Sequence, residues 1–120
     1  MNRDSQTRLR RDAGQSCMAF VKALKMTTFL VTYDINKEKP KPDRDRAKLL
    51  AHIKTFAFAY LSESSYAIDC QLTAPQLYNL LRQHLDPDDT IYVITLTRRW
   101  DGFGPTAVNR WLQQRLGLAG

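Results

Sequence analysis

Phe29-Leu30-Val31-Thr32-Tyr33-Asp34-Ile35 is the stretch on which the fold turns. It is nearly continuous in apolarity and rich in β-branched and aromatic residues, as a central strand covered on one or both faces requires. It ends by presenting one carboxylate, Asp34. A buried strand that delivers an aspartate to its carboxyl end offers a metal or nucleic-acid site. The plainer alternative is a strand-end residue that accepts N–H bonds from the loop after it. Both readings stand at this point.

Working outward, Asn36 to Asp43 reads as a loop, because Lys37-Glu38-Lys39-Pro40-Lys41-Pro42 carries two prolines that forbid regular pairing. Asp43 is the expected N-cap of a helix running from Arg44 to about Thr55. Ala47, Leu50, Ala51 and Lys54 step around it at helical spacing, with Leu49 and Ile53 widening its apolar face. Phe56 to Leu61 and Tyr66 to Leu72 read as two strands, or one sharply bent strand, around the break Ser62-Glu63-Ser64-Ser65. Thr73 caps a second helix with Pro75 in its first turn, and Leu77, Leu80, Leu81 and Leu85 form its buried stripe. Asp86-Pro87-Asp88-Asp89 stops that helix, and Thr90 to Leu96 is the last strong strand. The order predicts an α+β fold of ferredoxin-like βαββαβ type, an antiparallel sheet with both helices on one face. A C-terminal helix follows, from about Thr106 to Leu116, with Val108, Trp111, Leu112 and Leu116 on one side.

The chain has 120 residues, which suits one domain. The net charge of +6 suggests nucleic acid until it is located. Residues 1–25 hold six basic against two acidic residues, whereas residues 26–120 hold twelve against ten. The expected domain is therefore nearly balanced, and any electrostatic argument must rest on clustering. Residues 1–25 read as a basic, disordered leader and 26–120 as the folded domain, with Met26 an expected start of translation just before the first strand. A basic arm that grips nucleic acid is the sharper reading of the leader. No window approaches the ~18–20 apolar residues that would cross a bilayer. Cys17 and Cys70, the two cysteines, suit a reducing cytoplasm.

Tyr33-Asp34-Ile35 closing the first strand, Ser65-Tyr66-Ala67-Ile68, Leu72-Thr73 before the second helix, and Asp86-Pro87-Asp88-Asp89-Thr90-Ile91 before the last strand resemble the Cas2 family. These are small CRISPR-associated proteins, related in fold to VapD toxins. The short SinR-like group is nearer, since its tails carry a tryptophan-glycine segment like Trp100-Asp101-Gly102. The likeness covers about residues 27–104. It implies a homodimer in which the sheets face each other and the two copies of Asp34 meet near the two-fold axis. There they would share Mg²⁺ or Mn²⁺ and serve as catalytic metal ligands of a nuclease acting on RNA or DNA. The chain also departs from the family. Where Cas2 proteins carry arginine and glutamine before the second-strand serine, this sequence has Ala59-Tyr60-Leu61-Ser62-Glu63-Ser64. A helix replaces the further strand that pairs with a partner subunit. Both departures weigh against a Cas1-like partner and favour the other reading, a non-catalytic scaffold that binds nucleic acid or protein.

Lys37, Lys39, Lys41, Arg44 and Arg46 are interleaved with Glu38, Asp43 and Asp45. They form either a solvated loop or a set of phosphate contacts leaving Asp34 directly. Arg98 and Arg99 flank Trp100, which either stacks on a base or packs beneath its own glycine turn. Asp69 reads as a solvent-facing strand position. His52 and His84 fall on different helices without a partner at metal or triad spacing.

Overall fold

The computed structural model describes residues 25–120. The leader expected over residues 1–25 lies outside the described residues, except for Lys25. Strand β1 spans Thr27–Asp34, helix α1 Pro42–Ile53, β2 Ala57–Ser62, β3 Ser65–Cys70, helix α2 Ala74–Arg82, β4 Thr90–Thr95 and helix α3 Thr106–Leu116. The strands form one antiparallel sheet in the order β2-β3-β1-β4. This is an α+β domain with β1 inside the sheet, as its apolar run demands.

Register divides the side chains between two faces, because residues directly opposite each other in antiparallel strands point the same way. Phe29 faces Ile68 and Val31 faces Tyr66 on β3, while Val31 faces Val93 and Tyr33 faces Ile91 on β4. Those residues form one face, and it packs with Leu49 and Ile53 of α1 and Leu77 and Leu81 of α2 into a single core. The four helix residues are fully buried, each contributing about 1.5–3 kcal/mol. Leu50 and Leu85 pack around the edge of that core.

Two helix starts follow different chemistry. Thr73 accepts from the Gln76 N–H while the Gln76 side chain accepts from the Thr73 N–H, a reciprocal capping box. Helix α1 begins earlier than Asp43 predicts. Its N-cap is Lys41, without a side-chain cap, and Pro42 opens the first turn with its φ already helical. Asp43 and Asp45 thus lie inside the first turn, where their charge suits the helix dipole.

The opposite face carries Thr28, Leu30, Thr32 and Asp34, aligned with Asp69, Ala67 and Ser65 on β3 and with Ile94, Tyr92 and Thr90 on β4. Helix α3 packs on this side against β2, with Leu116 and Ala59 buried. That placement overturns the solvent-facing reading of Asp69. Its carboxylate is buried, accepts from Thr28 Oγ1 at 2.6 Å and pairs with the Arg115 guanidinium of α3. Trp100 likewise anchors the tail to the end of α3, not to its own glycine turn, by donating Nε1–H to the Gly117 carbonyl at 2.8 Å. The β1–β4 half of the face stays open: Tyr92 is 61% and Ile94 49% exposed. Among the described residues, no helix is long and apolar enough to cross a membrane.

Candidate functional site

Asp34 is exposed at the carboxyl end of β1, opposite Thr90. It lines a pocket of about 260 Å³ assembled from three segments. Strand β1 and its exit supply Tyr33, Asp34, Ile35 and Lys37; the start of α1 supplies Pro42, Asp43 and Arg46; the β2–β3 turn supplies Glu63 and Ser64. The turn is locked to the strand: the Tyr33 N–H donates to the Ser64 carbonyl at 3.0 Å, and the Tyr33 hydroxyl to the Glu63 carbonyl at 2.8 Å. Arg46 Nη2 donates to that same Glu63 carbonyl at 3.2 Å. The Tyr33 phenol beside it raises the Arg46 guanidinium above its ordinary value, and an arginine side chain stays charged in any case. Asp34, Asp43 and Glu63 face Lys37 and Arg46 around the opening, giving three acidic residues against two basic ones. Such a pocket attracts a cation at least as strongly as a phosphate.

The lysine loop divides into residues that face the pocket and residues consumed by the fold. Lys39 is buried, with its Nζ 2.8 Å from Asp45, 3.0 Å from Asp86 and 2.5 Å from Asp89. Burial alone would lower its pKa, but its hydrogen bonds to the Asp45, Asp89 and Asp86 carboxylates outweigh that and raise it. Burial pushes Asp89 toward the neutral form, while the Asp86 N–H, Lys39 and the Asn36 N–H hold its carboxyl below the usual range. Lys39 is thereby committed to clamping the β1–α1 loop onto the α2–β4 turn. Arg44 is bound through Nε and Nη2 to Asp45 Oδ1. Lys41 serves α1 through its carbonyl, which accepts the Asp45 N–H at 3.2 Å. Lys37 and Arg46 are the two predicted cations that line the Asp34 pocket.

Arg98 and Arg99 are not brought to that pocket. Strand β4 runs antiparallel to β1, with Thr90 beside Asp34 and Thr95 beside Phe29. The segment after β4 therefore leaves from the far end of the sheet, ~20 Å from Asp34 at about 3.3 Å per residue. There Arg98, Lys25 and Arg115 line a second, wider opening of about 540 Å³. Arg115 lies over the Trp111 ring at 3.7 Å besides pairing with Asp69.

The structure adds contacts that spacing did not reveal. Asp43 joins the pocket from the first turn of α1, and Glu63 and Ser64 because the β2–β3 turn folds against the exit of β1. The serine-rich break reads in sequence only as a turn. His52 and His84 do find a partner, each other, with Nδ1 and Nε2 2.8 Å apart. Thirty-two positions separate them in the chain, so no local spacing could have shown it. Among the described residues, no three histidine, cysteine or acidic side chains converge as a metal site.

No protein-family model matches the chain, and no curated protein matches it.

Proposed function

We propose that the chain is a Cas2-like, ferredoxin-like homodimer of the cytoplasm that cleaves phosphodiesters of RNA or DNA with the help of a divalent metal. One observation carries this reading. Asp34 stands on the same sheet face as the half-buried Leu30 and the exposed Tyr92 and Ile94, at the end of the strand that β4 flanks. A second copy covering that apolar strip brings two Asp34 carboxylates toward one axis. Two carboxylates at close range repel unless a proton or a cation bridges them, and Mg²⁺ or Mn²⁺ accepts such oxygen ligands while keeping several waters.

When bound, the metal supplies charge neutralisation and activation of water. The two Asp34 carboxylates, one from each copy, would hold it. Lys37 and Arg46 bind the non-bridging phosphate oxygens, and Arg46 is already oriented by Tyr33 and the Glu63 carbonyl. Water adds to phosphorus and gives up a proton, the bond to the leaving oxygen breaks, and that oxygen takes up a proton from solvent. The Asp34 pocket fits this division of labour, because its acidic excess draws the cation while its two basic groups remain at the rim.

The second reading is a non-catalytic scaffold that binds nucleic acid or protein. It is favoured by the lack of a converging metal-ligand cluster among the described residues and by the use of Lys39 inside the fold. The experiment is cleavage of single- and double-stranded RNA and DNA with Mg²⁺, Mn²⁺ or EDTA, beside Asp34→Asn. Loss of metal-dependent cutting by at least about 100-fold in the variant is expected, as for removal of a catalytic group. Equal traces in both proteins point to the scaffold.

A further inference from the structure

His52 and His84 are the two histidines of the chain, and the fold brings their rings together. His52 stands in the last turn of α1, and His84 lies just beyond the end of α2. The rings meet at 76° with centroids 5.1 Å apart, and His52 Nδ1 lies 2.8 Å from His84 Nε2. The His52 ring also stacks parallel to Phe56 at 6.2 Å, which limits its freedom. Both side chains are half-buried, so each ring is partly packed and partly within reach of solvent.

Two features of this contact favour a cation. A helix carries partial negative charge at its C-terminus, and the histidine pair joins two such ends. The other is spacing. Nitrogens held about 2.0–2.1 Å from one ion at right angles stand about 2.8–3.0 Å apart, whereas tetrahedral angles need about 3.3 Å. The gap between His52 and His84 is therefore that of neighbouring ligands around tetragonal Ni²⁺ or Cu²⁺, and Zn²⁺ asks it to open by about 0.5 Å. In the hydrogen bond, one of the facing nitrogens carries a proton. For both to present lone pairs, that ring passes to its other neutral tautomer, its proton moving through solvent to the second ring nitrogen. A small turn of each ring then aims both lone pairs at one ion. Burial holds His52 below the ordinary histidine value, which keeps it neutral, as a ligand must be.

We propose that His52 Nδ1 and His84 Nε2 form a two-histidine site for a divalent transition ion of the Ni²⁺, Cu²⁺ and Zn²⁺ class, with water in the remaining positions. Imidazole suits these ions, whereas carboxylate oxygens such as those of Asp34 suit Mg²⁺ and Mn²⁺. The site thus stands apart from the function proposed above and does not depend on it. The ion ties the end of α1 to the end of α2. It therefore binds the folded chain in preference to the unfolded one and stabilises it.

The test uses the full, untagged, ¹⁵N-labelled chain, in which every imidazole signal comes from this pair. Long-range ¹H–¹⁵N spectra of the histidine rings are recorded in EDTA, with Zn²⁺ and with Mg²⁺. Zn²⁺ should shift His52 Nδ1 and His84 Nε2 together, and Mg²⁺ should leave both unmoved. Calorimetric titration with Ni²⁺ then compares wild type with His52→Gln and His84→Gln, each checked by circular dichroism. Either change should weaken binding by at least about 10-fold, because the second nitrogen reaches the ion intramolecularly. Ni²⁺ should raise the urea midpoint of wild type and of neither variant. Zn²⁺ that shifts one ring or neither overturns the proposal and leaves a hydrogen bond alone. Equal Ni²⁺ affinity in wild type and both variants overturns it as well, since the ion then sits elsewhere. The wild-type spectra decide the case even where a variant fails to fold.

Discussion

Single side chains here change role according to what the fold sets beside them. Lys39 and Lys37 are two positions apart in one loop, yet the first is buried among three aspartates and the second lines the pocket. Asp69 and Asp34 share a face at opposite ends of the sheet; one is sealed by Arg115, the other open. The His52–His84 contact carries a consequence for pH. Burial holds the His52 imidazole below its ordinary value, and His84 adds to the effect. A histidine whose folded pKa is depressed takes up its proton more readily when unfolded, so stability is full above the unfolded value and falls as pH drops through it. Urea midpoints should therefore decline from about pH 7.5 to pH 5, starting near the ordinary histidine value of ~6.5. His52→Gln should flatten that slope. A midpoint in wild type that does not move over this range would show that the pair carries no linked proton.

At the scale of elements, the lysine clamp is what gives the β1–α1 loop one conformation. The loop holds two prolines and leaves the sheet without regular partners, but Lys39 ties it to α1 through Asp45 and to the α2–β4 turn through Asp86 and Asp89. Asp45 and Asp89 both have depressed carboxyl values: for Asp45 the leading cause is the Lys39 hydrogen bond, and for Asp89 hydrogen bonds overcome the cost of burial. The sign is the reverse of a raised group. Their stabilisation is complete above the unfolded carboxylate value of ~3.9 and is lost as pH falls below it. Lys39→Met should destabilise the domain at pH 7, because it leaves Asp89 buried without its cation, and should weaken the fall in stability between pH 5 and 3. Chemical unfolding across that range reads both effects. Equal stability of variant and wild type at pH 7 would mean the clamp is dispensable. Since the loop lines the Asp34 pocket, the same variant should also lower any cleavage.

For the whole molecule, the decisive asymmetry is that α1 and α2 cover one face of the sheet while α3 covers only the β2–β3 half of the other. The exposed Tyr92 and Ile94, beside the half-buried Leu30, are the surface on which the proposed dimer depends. Ile94→Glu places a charge in its middle without touching the core. Sedimentation should then shift from dimer to monomer, and cleavage should fall with it; a wild-type monomer at tens of micromolar would remove the paired-aspartate proposal. Much of this architecture was legible in advance. The apolar run of β1, the Thr73 cap and the stripe through Leu77 and Leu81 each encode their element locally, because periodicity and capping are properties of neighbouring residues. The position of Asp34 at a strand end was legible for the same reason. Only the tertiary structure decided that Glu63 and Ser64 join Asp34, that Lys39 is spent on three aspartates, that His52 meets His84, and that Arg98 and Arg99 lie at the other end of the sheet. Those facts depend on strand order and on which helix covers which face, and contacts between residues distant in the chain, such as His52 and His84, leave no mark on local spacing.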